Sequence, residues 1–220
     1  MSEAGYALWA VFRRGTSGAV PGDIDGDHLA TTIEQIGKEG VTVRGVYDVS
    51  GLRADADVMF WLTGTDPAAL QGALRRIRRT ALMAPLLPRW SALGVHREAE
   101  FNRDHVPGFL RGEPARAWLA VYPFVRSLDW YVLPDEDRSR MLAEHGRKGA
   151  AYRSVVANTV AAFALGDYEW ILPMESDELT DLVDMMRDLR GVEARLHVRE
   201  EVPFFTGRRI ELSEIVGVLS

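Results

Sequence analysis

The chain has 220 residues, a length that suits one large domain or two small ones, and its 47% hydrophobic and 26% charged residues are ordinary for a globular protein with a sizeable core. The net charge of −6 argues against a nucleic-acid backbone as partner, because proteins that bind such backbones concentrate positive charge. There are no cysteines, so disulfides, thiolate nucleophiles and zinc–sulfur sites are excluded.

Nothing in the sequence predicts a membrane partner. The N-terminal stretch MSEAGYALWAVFRR lacks a basic start followed by an apolar run, so no signal peptide is predicted. No apolar stretch approaches the ~20 residues that a membrane helix needs. A chain without cysteine is compatible with the cytoplasm, which is the location we expect.

The first elements in chain order are a strand, a loop and a helix. Residues 6–13 are apolar and rich in aromatics and valine, which predicts a buried strand. Residues 15–26 read as a loop by composition. From about Asp27 an apolar face recurs at helical spacing, and Gly37 and Gly40 are predicted to end this helix. Its apolar residues are Leu29, Ile33 and Ile36.

Two further strands and a helix follow. Residues 41–49 and 57–63 are predicted as strands, and Asp66 is predicted to cap a helix that begins with Pro67. Pro85 and Pro88 interrupt the chain, and an edge strand is predicted over 91–98. The apolar stripe of the helix comprises Leu70, Leu74 and Ile77.

The second half of the chain repeats the plan of the first. The stretch DVMFWL at 57–62, followed by a turn and a capped helix, is echoed by DYEWIL at 167–172, a turn and a helix capped near Ser176. Each half reads as β-α-β-β-α-β, the ferredoxin-like order. We therefore predict an N-terminal half over 1–100, a linker over 101–114 and a C-terminal half over 115–220. The predicted apolar face of the second capped helix comprises Leu179, Leu182, Val183, Met186 and Leu189.

Common signatures of hydrolytic and nucleotide chemistry are absent. The motifs HExxH, GxGxxG, GxxxxGK[ST] and GxSxG do not occur, which argues against a zinc hydrolase, a nucleotide enzyme and a serine hydrolase. The histidines stand singly rather than in metal-binding pairs. They are His28, His96, His105, His145 and His197.

Redox-capable aromatics and one histidine lie close together between residues 117 and 170. Tyr122 lies on a predicted strand, and Arg126 follows it. The next helix is predicted to end on His145, with Gly146 as its stop. Pattern alone leaves two interpretations of His145 open: a histidine favoured by the helix dipole, or an axial ligand to haem iron. Likewise Tyr122 is either a core tyrosine or a redox residue, and Arg126 either a surface charge or a carboxylate clamp.

Four long motifs together are more specific than any of these residues alone. They are YPFVRSLDWYVLP, the helix end EHG, ANTVAAFALGDYEW, and HVREEVPFFTGR near the C-terminus. From Tyr6 to Arg209 the chain closely resembles the coproheme decarboxylases of actinobacterial type, which belong to the chlorite dismutase-like superfamily.

The resemblance implies a fold, an assembly and a reaction. The fold is α+β, with two ferredoxin-like (βαββαβ) halves in one chain forming a dimeric α+β barrel, and the assembly is a homopentamer. The substrate is the porphyrin iron coproporphyrin III (coproheme), which also serves as redox centre. Hydrogen peroxide drives two oxidative decarboxylations that convert the propionates at positions 2 and 4 into vinyl groups. The product is haem b, reached through a three-propionate intermediate in the coproporphyrin-dependent branch of haem biosynthesis.

The resemblance also assigns roles by motif. His145, in EHG, matches the proximal iron ligand, and Tyr122, in YPF, matches the tyrosine that becomes a radical. Arg126 matches a propionate-binding arginine. Trp130 and Trp170 match tryptophans that line the porphyrin.

On the distal side the resemblance implies His105, in DHVP, as the base that deprotonates peroxide. Ala157 stands where chlorite-degrading relatives carry a distal arginine, so chlorite dismutation is not expected. No carboxylate aligns to brace His145, although Glu193 lies near that register.

Two other functions remain open at this stage. One is a haem peroxidase on the same scaffold, which could tolerate the loss of the Tyr122 hydroxyl. The other is a non-catalytic haem-binding protein.

Overall fold

The computed structural model describes residues 5–15, 26–97 and 106–220, and it combines strands and helices in two compact units. The first unit comprises Met1–Val95 with Thr206–Ser220, and the second comprises His96–Phe205. No helix in these ranges is long and apolar enough to cross a membrane.

The first unit has the βαββαβ order that the sequence predicts. Strand β1 pairs antiparallel with β3 and β4, and β2 pairs antiparallel with β3, which gives the sheet order β4–β1–β3–β2. The elements are β1 Tyr6–Arg13, α1 Asp27–Lys38, β2 Thr42–Asp48, β3 Val58–Gly64, α2 Pro67–Arg78 and β4 Leu87–Val95.

An apolar core lies between this sheet and its two helices. Alternate residues of β1 point to the helices, where they contact buried side chains of α1 and α2. Phe12 and Phe60 meet edge to face there, with ring centroids 6.2 Å apart. Because the strand and helix periods both bring apolar residues to this layer, the core is continuous. The strand and helix residues include Leu8, Ala10, Phe12, Leu29, Ile36, Leu70 and Ile77.

The helix start at Pro67 is confirmed, whereas the predicted start of β4 is wrong. The Asp66 carboxylate accepts a hydrogen bond of 2.9 Å from the Ala68 N–H, as expected of an N-cap. Strand β4 begins at Leu87 and includes Pro88, although we expected it to begin at residue 91. The β1–β4 register shifts between Val11 and Phe12, next to Pro88, and proline is tolerated at such an irregularity.

The second unit repeats the plan with its middle strand divided. Strand β5 pairs antiparallel with β8 and β9, and β8 pairs antiparallel with β6 and β7. The elements are β5 Trp118–Arg126, α3 Asp135–Gly149, β6 Val156–Ala157, β7 Val160–Ala161, β8 Trp170–Ser176, α4 Leu179–Leu189 and β9 Val198–Glu200.

Helix α3 continues past His145, so the predicted stop at Gly146 is wrong. The helix reaches Gly149, and the Ala150 N–H donates to the Gly146 carbonyl at 2.9 Å. A glycine inside a helix costs about 1 kcal/mol relative to alanine, which the remaining turn can offset. His145 therefore lies about one turn before the helix end.

Helix α4 fully buries two of the five residues of its predicted apolar face, and two more are half-buried. Leu182 and Leu189 are buried, but Val183 is 51% exposed and does not belong to that face. Helical spacing alone did not separate Val183 from its buried neighbour. The Ser176 hydroxyl accepts from the Glu178 N–H at 3.2 Å, just before the helix begins.

The last residues belong with the first unit. Strand β10, Phe205–Ile210, pairs antiparallel with β2, and helix α5, Ile215–Leu219, adds Ile215 and Leu219 to the apolar core of that unit. Our sequence-based division assigned everything after residue 115 to the second half. The strand pairing with β2 is a long-range contact that local sequence patterns do not reveal.

Candidate functional site

One face of β5 carries the predicted site residues. Tyr122, Phe124 and Arg126 alternate along the strand and so share a face. Trp118 and Ala120 lie on the same face and pack against the apolar side of α4, which shows that this helix covers the face. Across the ladder to β8, Tyr122 lies opposite Leu172 and Phe124 lies opposite Trp170.

Tyr122 is a buried phenol with an apolar environment. Its side chain is 3% exposed, and its ring stacks on Phe204 with centroids 4.3 Å apart. Its hydroxyl donates to the sulfur of Met186 on α4 at 3.5 Å. Burial, and secondarily the Glu201 carboxylate, raises the pKa of Tyr122 well above its ordinary value. The phenol is therefore protonated at neutral pH.

Arg126 ends β5 and lies over an aromatic surface. Its guanidinium carbon is 3.9 Å from the ring centroid of Trp130 and 4.6 Å from that of Phe124. One guanidinium nitrogen donates to the Ala194 carbonyl at 3.5 Å, and the backbone N–H donates to the Glu169 carboxylate at 2.9 Å. These contacts fix a cation in a half-buried position, where it can hold a carboxylate.

Trp130 is part of a small apolar cluster under Arg126. It is 1% exposed and packs with Met141 of α3 and with Val192 and Ala194. One face of the Trp130 ring contacts the guanidinium of Arg126.

His145 projects from the same side of α3 as Met141, which lies one turn earlier in the helix. Burial, and then the positive charge of Arg126, lowers the pKa of His145 below its ordinary value. Its imidazole is therefore mainly neutral at pH 7. None of the residues in the described ranges hydrogen-bonds either of its ring nitrogens, so a nitrogen is available to a metal.

Trp170 belongs to an aromatic group at the edge of this face. Its indole N–H donates to the Tyr131 hydroxyl at 3.2 Å, and that hydroxyl donates to Glu169 at 2.9 Å. The Phe163 ring contacts Trp170 edge to face, with centroids 5.4 Å apart. Tyr131 and Phe163 are 40% and 47% exposed, so this group reaches solvent.

A buried polar clamp holds the segment that follows residue 105. Asn158, between β6 and β7, is 0% exposed; its side-chain oxygen accepts from the Phe109 N–H at 2.8 Å and its amide donates to Glu175 at 3.0 Å. Gly108 donates to the Ala157 carbonyl, and a Cβ at Gly108 would lie 2.2 Å from Val156. Residues 106–109 are thereby fixed against β6.

The predicted site residues therefore fall into three groups. Tyr122, Arg126 and Trp170 share the helix-covered face, and the charge of Arg126 acts on His145. Trp130 lies behind Arg126. His105 lies outside the described residues, so its predicted role is untested.

Glu193 does not brace His145. It forms a salt bridge with both guanidinium nitrogens of Arg140 at the surface, which lowers the pKa of its carboxyl. In the described ranges no group of three or more acidic, histidine or cysteine side chains could hold a metal ion.

Sequence reasoning missed the surroundings of Tyr122. Glu201, whose side chain is 13% exposed, forms 2.8 Å salt bridges with both Arg190 and Arg195. This ion-pair group precedes Phe204, the residue that stacks on Tyr122. The string EEVPFF contains both residues, but only the fold shows that they lie beside β5.

Comparison with known proteins identifies similar sequences. The family model described as chlorite dismutase matches residues 26–210. A protein from Mycolicibacterium smegmatis named coproheme decarboxylase is 49% identical over 221 residues, which cover 97% of this chain and 94% of that protein.

Solved structures of lower identity share the fold. An arginine-to-lysine variant of chlorite dismutase from Candidatus Nitrospira defluvii matches with a TM-score of 0.81 at 21% identity, over 99% of this chain and 95% of that one. The imidazole complex of the same protein matches with a TM-score of 0.80 at 21% identity, over 97% and 94%. The predicted α+β fold with two ferredoxin-like halves is confirmed.

Proposed function

The chain belongs to the chlorite dismutase family, and from this membership we propose that it is a peroxide-dependent coproheme decarboxylase that converts iron coproporphyrin III into haem b. The observation that carries the proposal is the name and near-complete coverage of the Mycolicibacterium smegmatis relative. The arrangement of Tyr122, Arg126 and His145 supports it, because it supplies the three chemical roles that such a reaction needs.

His145 is the proposed iron ligand. A neutral imidazole is required to bind iron, and burial together with Arg126 keeps this ring neutral by lowering its pKa. Its location on the inner side of α3, with no hydrogen-bond partner among the described residues, fits a proximal ligand. When bound, the iron porphyrin supplies the oxidising capacity for which the protein has no group of its own.

Arg126 is the proposed anchor for a propionate. A carboxylate that enters a half-buried face needs a cationic partner, because an unpaired buried charge is costly. Arg126 is held by Trp130, Phe124 and the Ala194 carbonyl, so little side-chain freedom remains to be lost on binding.

Tyr122 is the proposed hydrogen-atom abstractor. Once oxidised to a phenoxyl radical, it removes a hydrogen atom from the β-carbon of a propionate and becomes a phenol again. Loss of a second electron and of CO2 then leaves a vinyl group. Each vinyl group consumes one peroxide and one proton and releases CO2 and two waters. Burial keeps water from the radical, and the contact with Phe204 holds the ring in place.

His105 is the proposed base for peroxide. An imidazole is suited to proton transfer near neutral pH. The clamp of Asn158 on the Phe109 N–H supports this role indirectly, since it fixes the chain just after residue 105. A homopentamer in the cytoplasm is likewise proposed from the resemblance.

The test is a titration of purified apo-protein, loaded with iron coproporphyrin III, with stepwise hydrogen peroxide. Mass spectrometry is expected to show the three-propionate species and then haem b. Unchanged substrate after several equivalents would refute the proposal. Oxidation of an added electron donor without vinyl formation would favour a haem peroxidase, and binding without any turnover a non-catalytic haem-binding protein.

A further inference from the structure

Tyr131 lies in a hydrogen-bonded aromatic group that the decarboxylation chemistry does not use. Its hydroxyl donates to Glu169 Oε2 at 2.9 Å and accepts from the indole N–H of Trp170 at 3.2 Å. The Phe163 ring lies edge to face with both aromatic side chains, at centroid distances of 6.0 Å from Tyr131 and 5.4 Å from Trp170. Three aromatic rings and one carboxylate therefore form a single contact group.

The carboxylate distinguishes Tyr131 from Tyr122. A neutral phenol that loses an electron becomes strongly acidic, so oxidation is easiest where a base already accepts its proton. Glu169 occupies that position for Tyr131. The Tyr122 hydroxyl, in contrast, contacts the Met186 sulfur, which is a poor proton acceptor. Tyr152, a third tyrosine of this unit, donates to the Asp184 backbone carbonyl at 3.2 Å, and the Asp188 carboxylate also interacts with its hydroxyl.

The remaining surroundings of Tyr131 favour the radical product. After the proton has moved to Glu169, the phenoxyl oxygen still accepts the Trp170 N–H, a hydrogen bond that stabilises it. The side chain is 40% exposed, so solutes reach it. Trp170 lies opposite Phe124 on the β5–β8 ladder, and Phe124 is two residues, or ~7 Å, from Tyr122 on the same face. Aromatic rings thus lead from the buried face to the surface.

We propose that Tyr131, with Glu169 as its proton acceptor, is a surface site of one-electron oxidation through which oxidising equivalents leave this half of the protein. In the step, the Tyr131 O–H bond breaks, its electron passes to a one-electron oxidant and its proton passes to Glu169. The products are a neutral phenoxyl radical, a carboxylic acid and the reduced oxidant. A small reductant in solution can then return the electron at the exposed ring. Burial, and then the hydrogen bond to Glu169, raises the pKa of Tyr131 to about 12, so the phenol holds its proton until the electron leaves.

The proposal can be tested on the apo-protein, independently of any porphyrin reaction. Photogenerated tris(bipyridine)ruthenium(III) serves as the oxidant, and 2-methyl-2-nitrosopropane traps tyrosyl radicals. Trypsin then separates the three tyrosines of interest, because 117–126 contains Tyr122, 127–138 contains Tyr131 and 149–153 contains Tyr152. Tandem mass spectrometry quantifies the adduct on each peptide.

We expect most of the adduct on Tyr131 and least on Tyr122, while labelling of Tyr152, which interacts with Asp188, should not depend on Glu169. Glu169→Gln retains a side-chain oxygen that can accept from the Tyr131 hydroxyl and the Arg126 N–H, but this oxygen is not basic. The variant should lower the Tyr131 adduct about tenfold. This is less than the ~10²-fold effect of a positioned base, because water reaches this phenol. Glu200→Gln, which removes the same charge from an exposed position on β9, should leave the yield unchanged. Tyr131→Phe should remove the adduct from its peptide.

Two results would overturn the proposal. Labelling of Tyr122 as strong as that of Tyr131 in the wild type would show that neither exposure nor a carboxylate partner favours Tyr131, and an unchanged Tyr131 yield in Glu169→Gln would show that Glu169 does not take the proton. Should thermal unfolding show that Glu169→Gln is misfolded, Glu169→Asp provides the second comparison. That variant keeps a carboxylate and should lower the yield by a smaller factor, whereas complete loss of the Tyr131 adduct would contradict the proposal.

Discussion

The two units share one strand order but differ in what their helices cover. In the first unit the helix-covered face is a single apolar cluster that includes Leu8, Phe12 and Phe60. In the second unit the described apolar residues of that face form two smaller clusters, one around Trp130 and one around Met185. The strand positions between them carry Tyr122, Phe124 and Arg126.

The first unit therefore mainly contributes stability, and the second unit carries the groups that can react. A continuous core stabilises a unit through burial of apolar area, at roughly 25 cal/mol per Å². The corresponding face of the second unit carries a phenol, a guanidinium and an imidazole in place of apolar side chains. It therefore gains less stability from burial, but its side chains can bind and react. Tyr122 and Phe124 of the second unit can each be compared with an aromatic residue of the first unit, and the other variants test the second unit alone.

The largest expected effect is on decarboxylation. Tyr122→Phe should lower the rate by about 10³-fold or more, roughly 4 kcal/mol in activation free energy, because no hydrogen atom can then be exchanged with the propionate. Tyr47→Phe, a buried tyrosine on β2 of the first unit, should leave the rate unchanged. Both rates are measured from porphyrin products after addition of peroxide. Equal rates in the two variants would remove Tyr122 from the reaction.

Truncation of an aromatic ring should lower the free energy of unfolding more in the first unit than in the second. Phe60 is 0% exposed and contacts Phe12, so Phe60→Ala should lower the free energy of unfolding by about 4 kcal/mol. Phe124→Ala removes a half-buried ring and should cost about 1 to 2 kcal/mol. Urea unfolding followed by circular dichroism measures both. Similar losses in the two variants would contradict the contrast between the two faces.

The buried polar clamp of Asn158 stabilises the second unit, in which the described residues form no continuous apolar cluster on the helix-covered face. Asn158→Ala leaves the Phe109 N–H and one Glu175 oxygen without this partner, and it should lower the free energy of unfolding by about 3 kcal/mol. Thr159→Ala, at the next and partly exposed position, is the matched control and should change it by less than about 1 kcal/mol. Proteolysis near residue 105 should also become faster in Asn158→Ala alone. If both variants unfold alike, the clamp does not stabilise the segment.

The smallest expected effect is on pH dependence. The folded-state pKa of His145 is lowered, so this residue contributes stability that is present above its ordinary pKa of about 6.5 and is lost as pH falls through the folded value. The apo-protein should therefore lose stability between neutral pH and mild acid. His145→Gln should show a shallower loss over the same range, measured by thermal unfolding. An unchanged slope in the variant would contradict the burial of this imidazole.

How far the sequence predicts these features depends on the range of the contacts. Asp66 and Pro67 mark the start of α2 through local backbone chemistry, and the continuous apolar run of β1 indicates a buried strand, so both were predictable. The end of α3 was not, because Gly146 resembles a stop although the last turn continues to Gly149. Tyr122 and His145 were identified through motifs. The hydrogen bond of Tyr122 to Met186 and the effect of the Arg126 charge on His145 depend on how distant segments pack, which no local pattern contains.

The central claim is that His145 on the second unit holds the iron of the bound porphyrin. Resonance Raman spectroscopy of the reduced complex with iron coproporphyrin III tests it directly, since an iron–histidine stretching band reports an axial imidazole. We expect the band in the wild type and in His197→Gln, where the lost ring lies near Ser127 instead, and we expect it to be absent in His145→Ala. An unchanged band in His145→Ala would contradict the account.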